Sequence, residues 1–371
     1  MRRFSMGHAV AERSAAVVTV CRRMEPLPPG ANLGFVYATD HYAEDLDLLV
    51  AELRGRTGIP HWVGTTGISI TAGDEEYFDT PALAVLVGAF PADAFRVFAT
   101  GAQSFGPVVR AHGSWYRRRE RHLAIVHGDP NNSRTPELLR ALATELPGGF
   151  MVGGIISSRG AHVHIANSPI QGALSGVIFN ELAPIYTSLT QGCIPIGPLH
   201  RITDCERNVI RTLDGRPALD VLREDIGELL ARNLSRITGY IFAGLPILGT
   251  ENGDYTVRNL LSIDRRQGWL AIGEWLHQGQ SILFCRRDAN RARDNMEKML
   301  IDLLGRLPRP PQAALYFSCL GRGHQMFGAP GVEQRIIRHH LGDIPLVGFY
   351  ANGQISHNDI YGYTGVLAVF L

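Results

Sequence analysis

Read for the spacing of its apolar residues, the chain shows one order of elements three times. The clearest copy begins with Ala313, Ala314, Leu315, Tyr316 and Phe317, an unbroken apolar and aromatic run that predicts a buried strand. It gives way to Ser318-Cys319-Leu320-Gly321-Arg322-Gly323, a glycine-bearing loop. A helix is then predicted over 330–341, with Val332, Ile336, Ile337 and Leu341 on one face and Gly342 as its stop. Ile344-Pro345-Leu346-Val347-Gly348 and 365–371 close the copy as strands.

The first copy runs from a strand at 33–37 through a cap at Thr39-Asp40 and a helix carrying Leu46, Leu49, Val50 and Leu53. Trp62-Val63-Gly64-Thr65-Thr66-Gly67 and the apolar run 81–90 complete it. The second has a strand at 123–127, the loop 128–133, and a helix capped by Thr135 with Pro136 at its first position. The glycine-rich strand 149–154 and the run 172–179 follow. Units of roughly sixty residues, unevenly spaced, predict domain duplication rather than a solenoid. They also predict equivalent places for the loops at Thr39-Asp40, 128–133 and 318–323.

The remaining segments differ. A strand is predicted at 15–21, before the turn-forming run Pro26-Leu27-Pro28-Pro29-Gly30. Between the second and third copies, strands are predicted at 186–189 and 192–196, and a hairpin turn at Asp214-Gly215. A helix over 217–231 would turn Leu219, Leu222, Ile226, Leu229 and Leu230 inward. Strands follow at 237–243, 257–263, 270–272 and 281–285. Asp288 would cap a helix to Leu304 with Met296, Met299, Leu300 and Leu303 buried. The expected class is α+β, with mixed sheets, helices packed outside and two domains. The expected division is a lead-in at 1–30, a domain at 31–214 and a domain at 215–371.

Charge narrows the functions. The 36 basic and 35 acidic residues nearly cancel, so no global field points to nucleic acid or an anionic membrane. Local clusters at Arg117-Arg118-Arg119 with Arg121, and at Arg335 with Arg338, read as solvated surface. Cys21, Cys193, Cys205, Cys285 and Cys319 form no C-x-x-C pair, so neither a zinc site nor a disulfide framework is indicated. That usage fits a reducing cytoplasm. The apolar run 237–248 is broken by Gly244 and Pro246 and is too short to span a bilayer. A soluble intracellular protein is expected.

Three chemistries are open. In the first, Arg322, Arg258 and Asn259 offer donors to a carboxylate, Gly321, Gly323 and Gly348 offer bare N–H groups, and Phe349 and Tyr350 offer an apolar wall. The structural alternative pairs Arg258 and Arg322 with acids such as Asp264 or Asp288. In the second, His112, His127, His200, His324 or His339 ligates a haem. In the third, Cys319 is a nucleophile, with Arg322 lowering its pKa and His324 nearby.

Several segments together resemble the FIST domain family, in both its N-terminal and C-terminal halves. They include Phe317-Ser318-Cys319 with Gly321-Arg322-Gly323, and the run from Pro345 through Gly348, Tyr350 and Gly353 to Gln354-Ile355. Gln191-Gly192-Cys193-Ile194-Pro195, Leu213-Asp214-Gly215-Arg216-Pro217 and Arg258-Asn259-Leu260-Leu261 add to them. Val63-Gly64-Thr65-Thr66-Gly67 matches the N-terminal half, with Thr65 where the family often has cysteine. Gln354 replaces the usual acidic residue after Gly353. The resemblance implies an intracellular sensory module for small ligands, with amino acids or small carboxylates as candidates and Gly353 and Gln354 in the site. For some members it implies haem-based nitric oxide sensing with a histidine kinase. No kinase, cyclase or DNA-binding segment accompanies the motifs, so output is expected through a separate partner.

Overall fold

Three apolar runs of the chain each meet a parallel neighbour across a glycine. Leu33–Thr39 lies beside His61–Gly67, His122–Gly128 beside Phe150–Ile155, and Ala313–Cys319 beside Leu346–Ala351. Gly64, Gly153 and Gly348 stand opposite Val36, Val126 and Tyr316. A Cβ there would lie 1.8, 1.9 and 1.7 Å from the facing carbonyl oxygens, so only glycine permits the approach. An antiparallel strand flanks the first member of each pair: Ala82–Gly88, Leu174–Asn180 and Thr364–Phe370.

The computed structural model describes residues 3–118, 121–146, 148–231, 234, 237, 239–247 and 255–371, apart from the side chains at 228, 229 and 231. The expectations for Leu229 and Arg119, and the far end of the apolar run 237–248, lie outside that set. Its helices are α1 (Arg13–Met24), α2 (Leu46–Thr57), α3 (Gly106–Tyr116), α4 (Thr135–Glu145), α5 (Ala218–Ala231), α6 (Ala289–Arg306), α7 (Gly323–Phe327) and α8 (Val332–Leu341). The chain divides into two compact units, one of 1–190 with 293–371 and one of 191–292.

In the first unit each parallel pair lends a hairpin to another sheet. Ser69–Ala72 with Glu75–Phe78 follows the first pair but joins Leu346–Ala351. His164–Ala166 with Ser168–Ile170 follows the second but joins His61–Gly67. Gly353–Ser356 with Asp359–Tyr361 follows the third but joins Phe150–Ile155. Three six-stranded sheets result, bound in a cycle.

Their inner faces share one core, with Phe35, Tyr37 and Leu86 from the first sheet, Ile125, Val152 and Phe179 from the second, and Leu315, Phe317 and Phe349 from the third. Strand alternation sends the intervening residues outward against helices. Val36 and Val85 meet α1 and α2, Val126 and Ile178 meet α3 and α4, and Ala314 and Leu367 meet α6 and α8. The class is mixed α/β with helices outside.

The second unit is a closed antiparallel sheet. His200–Glu206, Val209–Leu213, Trp269–Ile272, Tyr255–Asp264, Ile241–Pro246 and Ser281–Arg287 pair in that order, and the last returns to the first. Leu219, Leu222 and Ile226 of α5 join its core. Asp214 and Gly215 take φ of 51° and 76°, the left-handed pair that a two-residue hairpin turn needs. Asp288 Oδ1 accepts the N–H groups of Asn290 and Arg291 at 3.1 and 3.0 Å, capping α6.

Two expectations are corrected. Residues 15–21 belong to α1 rather than a strand, because Ala16, Val17, Val20 and Met24 recur at helical spacing and bury one face. The opening strand is Phe4–Val10, paired with Ala82–Gly88. The strand expected at 237–243 is Ile241–Pro246.

Candidate functional site

All seven residues of Ala313–Cys319 are buried, and the strand ends where Arg322 N–H turns back to the Cys319 carbonyl at 2.8 Å. The guanidinium expected to meet a guest is enclosed instead. Arg322 Nε donates to Glu333 Oε1 at 2.8 Å, and both side chains are 0 % exposed. Its Nη1 reaches the Tyr363 carbonyl at 3.4 Å, and among the described residues the enclosed Nη2 has no hydrogen-bond partner. Glu333 also accepts the hydroxyls of Tyr316 at 2.6 Å and Ser318 at 2.7 Å. Burial and the Glu333 charge push the Tyr316 phenol well above its ordinary pKa, which keeps it a donor. The partner of Arg322 is therefore Glu333 on α8, not Asp264 or Asp288.

The loop's donors are occupied by the chain itself. Glu76, on the exchanged hairpin and 2 % exposed, accepts the backbone N–H groups of His324 and Gly331, both at 3.1 Å, and meets His324 Nδ1 at 2.9 Å. Gly323 has φ of 55°, and a Cβ there would lie 2.6 Å from Glu76 Oε1. The place expected for a foreign carboxylate thus holds an internal one. The other two strand ends follow suit. Asp40 accepts from Arg159 N, Nε and Nη2 at 2.9, 2.9 and 2.7 Å, and Asp129 from the N–H groups of Asn131 and Gly172 at 2.8 and 2.6 Å.

The other residues singled out in the sequence fall as follows. Cys319 is buried, and its Sγ accepts the Gly321 N–H at 3.4 Å, while His324 Nδ1 engages Glu76. Tyr350 is buried and its hydroxyl accepts from Gln334 Nε2 at 3.1 Å. Gln354 is fully buried, accepting from Thr364 Oγ1 at 2.9 Å and donating to the Ala351 carbonyl at 3.3 Å. Gly321 and Gly353 pack against Tyr363 and Ile360, and Gly348 makes the parallel-pair contact above. These residues gather in the first unit. Arg258 and Asn259 belong to the second, where Arg258 Nε donates to Glu274 at 2.8 Å and the Asn259 carbonyl accepts from Gly273.

Sequence reading missed an open groove in the first unit. It holds about 420 Å3 between α6 and α8. Ala329, Val332 and Ile336 form its apolar wall, Arg293 and Arg335 bring positive charge, Glu297 negative charge, and His339 and His340 line the rim. Among the described residues, Arg293, Glu297 and Arg335 make no ion pair. Arg293 lies over the Phe327 ring at 5.4 Å, and Arg322 lies over the same ring at 5.5 Å. One aromatic ring therefore touches both the groove and the enclosed Arg322–Glu333 pair. The available signal was i, i+4 spacing, Arg293 to Glu297 and Arg335 to His339, on the polar faces of two helices.

The five histidines singled out as haem ligands have these partners. His127 is fully buried and meets Tyr37 Oη through Nε2, His112 Nε2 meets the Val97 carbonyl, and both ring nitrogens of His200 meet aspartates. His324 is held by Glu76, and His339 stands on the exposed side of a groove sized for a small molecule. Among the described residues no helix is long and apolar enough to cross a membrane, and no cluster of His, Cys, Asp and Glu forms a metal site.

The first unit is three linked mixed sheets with a polar groove on its outer helices, and the second is an antiparallel barrel. The family model for the FIST N domain matches residues 32–216, and that for the FIST C domain matches 218–357. The chain belongs to the FIST family, whose domains are recognised as sensory domains of signal-transduction proteins. It is 32 % identical over 378 residues to "Uncharacterized protein Rv0628c" of Mycobacterium tuberculosis (strain ATCC 25618 / H37Rv), covering 97 % of this chain and 96 % of that one. It is 30 % identical over 326 residues to "Uncharacterized protein Mb0898c" of Mycobacterium bovis, covering 84 % and 83 %.

Proposed function

We infer that this protein is a sensory receptor for a small carboxylate or amino acid, bound in the α6–α8 groove and reported to a separate signalling partner. The observation carrying this reading is the groove's charge: two guanidiniums and one carboxylate that form no ion pair among the described residues, beside an apolar wall. Such a surface recognises a carboxylate head through arginine and an ammonium through Glu297. The route inward is Phe327. A guest that draws Arg293 away from the ring alters the packing of Phe327, and with it the Arg322–Glu333 pair that anchors α8.

The test is a thermal-shift screen of amino acids and small mono- and dicarboxylates. A ligand at a hundredfold its Kd adds about 2.7 kcal/mol, so a hit raises Tm by several degrees. Arg335→Ala, at an exposed position, is expected to remove the shift while leaving the unliganded Tm in place. No stabilising compound, or an undiminished shift in the variant, would overturn the reading.

A further inference from the structure

The second unit contains a cavity of about 310 Å3, separate from the groove and unused by the reading above. Its walls are aliphatic, from Ile194, Ile196, Ile226, Leu230 and Ile241. Asp225 and Arg286 supply the charge.

Asp225 is built into this place. A Cβ on Gly197 would lie 2.2 Å from the carboxylate, so glycine is what admits it. His200 Nε2 meets Asp225 Oδ2 at 2.9 Å, while Nδ1 of the same ring meets Asp214 Oδ2 at 2.6 Å. Holding two carboxylates at once requires a proton on both ring nitrogens, so His200 is an imidazolium that balances the charge of Asp225. The Asp225 side chain is only 8 % exposed, and among the described residues its Oδ1 takes no hydrogen bond. Among the described residues Arg286 Nε is enclosed without a hydrogen-bond partner, while its Nη2 stands 3.5 Å from Asp288. The wall also has a joint: α5 breaks at Gly227 (φ 75°, ψ 161°), between Ile226 and Leu230.

We propose that this cavity is a second binding site, for a short branched aliphatic molecule whose head donates a hydrogen bond to Asp225 Oδ1. Leucine and isoleucine side chains enclose the aliphatic body. The paired His200 leaves Asp225 as an acceptor rather than a naked charge, so an amine or a hydroxyl meets the same requirement.

The experiment uses the full chain with labelled isoleucine methyl groups, titrated with isobutylamine, isobutanol and isobutyrate while methyl resonances are followed by NMR. Saturable shifts of the Ile194, Ile196, Ile226 and Ile241 methyls are expected with the amine or the alcohol. Saturation by the amine alone identifies a cationic head, and saturation by both a neutral donor. Asp225→Ala is expected to weaken binding at least tenfold. Because that change also removes a partner of His200, Leu230→Phe provides the second variant, narrowing the cavity while every polar contact stays. Failure of both probes to saturate overturns the proposal. So does isobutyrate binding as tightly as the amine, or binding undiminished in both variants.

Discussion

In the first unit, His127 lies at the centre of the three-sheet core, ringed by Tyr37, Phe317 and Phe349, with no carboxylate paired to it. In the second, His200 is gripped by Asp214 and Asp225. Burial pushes His127 down to about 3, and His164 nearby adds repulsion. His164 is itself lowered to about 4 by burial, which the attraction of Asp129 only partly offsets. Burial also works against the charged form of His200, but the bonds to its two aspartates outweigh it and the pKa ends raised. The same residue type is thus held neutral in one unit and charged in the other, and the partner decides which. The linkage signs are opposite. Between about pH 6.5 and 3 the unfolded chain binds protons that folded His127 refuses, so acid destabilises the first unit. The contribution of His200 is complete below its unfolded pKa and fades as pH rises through the raised folded value.

The largest effect expected tests whether the first unit tolerates buried charge only when it is matched. Glu333→Ala leaves Arg322 enclosed and uncompensated, and should cost about 3–5 kcal/mol in chemical denaturation. Arg322→Met combined with Glu333→Leu should recover most of that loss, because the pair then leaves together. A mild effect of the single change would mean that the pair is not what anchors α8. Next in size is His127→Phe. At pH 5 the wild-type histidine forfeits about 2 kcal/mol relative to neutral pH, and the variant's stability profile should be flatter by that amount. An unaltered acid slope would remove His127 as its source. The smallest is His200→Gln, expected to lose about 1 kcal/mol at pH 5.5 and less at pH 8, opposite in trend to the histidines of the core. Matching trends in the two variants would erase the contrast between the units.

Elements with a strong local period were legible in the sequence. The strand before Ser318, the capped helix α6 and the Asp214-Gly215 turn all stand where spacing and turn chemistry put them. Helix α1 was not legible as such, because Val17-Val18-Thr19-Val20 is β-branched and only burial of Ala16, Val17, Val20 and Met24 reveals the helical face. The hairpin at 69–78 left little signal, since it answers to a strand near the other end of the chain and carries its own residues partly in solvent. At the site, the loop was found, but its internal partners were not. Arg322 looked available because its partner sits eleven positions on, in α8. The clue was Glu333 standing in line with Ile337 and Leu341, a charge on a stripe that is otherwise buried and apolar. The groove escaped because its charges come from two helices that only tertiary packing brings side by side.

The cyclic exchange of hairpins has a mechanical meaning. A row of sheets joined end to end can fray from either end, but a ring of borrowed edges has no end from which to fray. Each third supplies a strand to one neighbour and takes one from the other, so opening any sheet strands an edge in a second sheet. Such a clasp unfastens all at once, and it closes only after residues far apart in the chain have found each other, which places the first unit among slow, high-contact-order folders. Motion is thereby left to what lies outside the ring, its helices and loops.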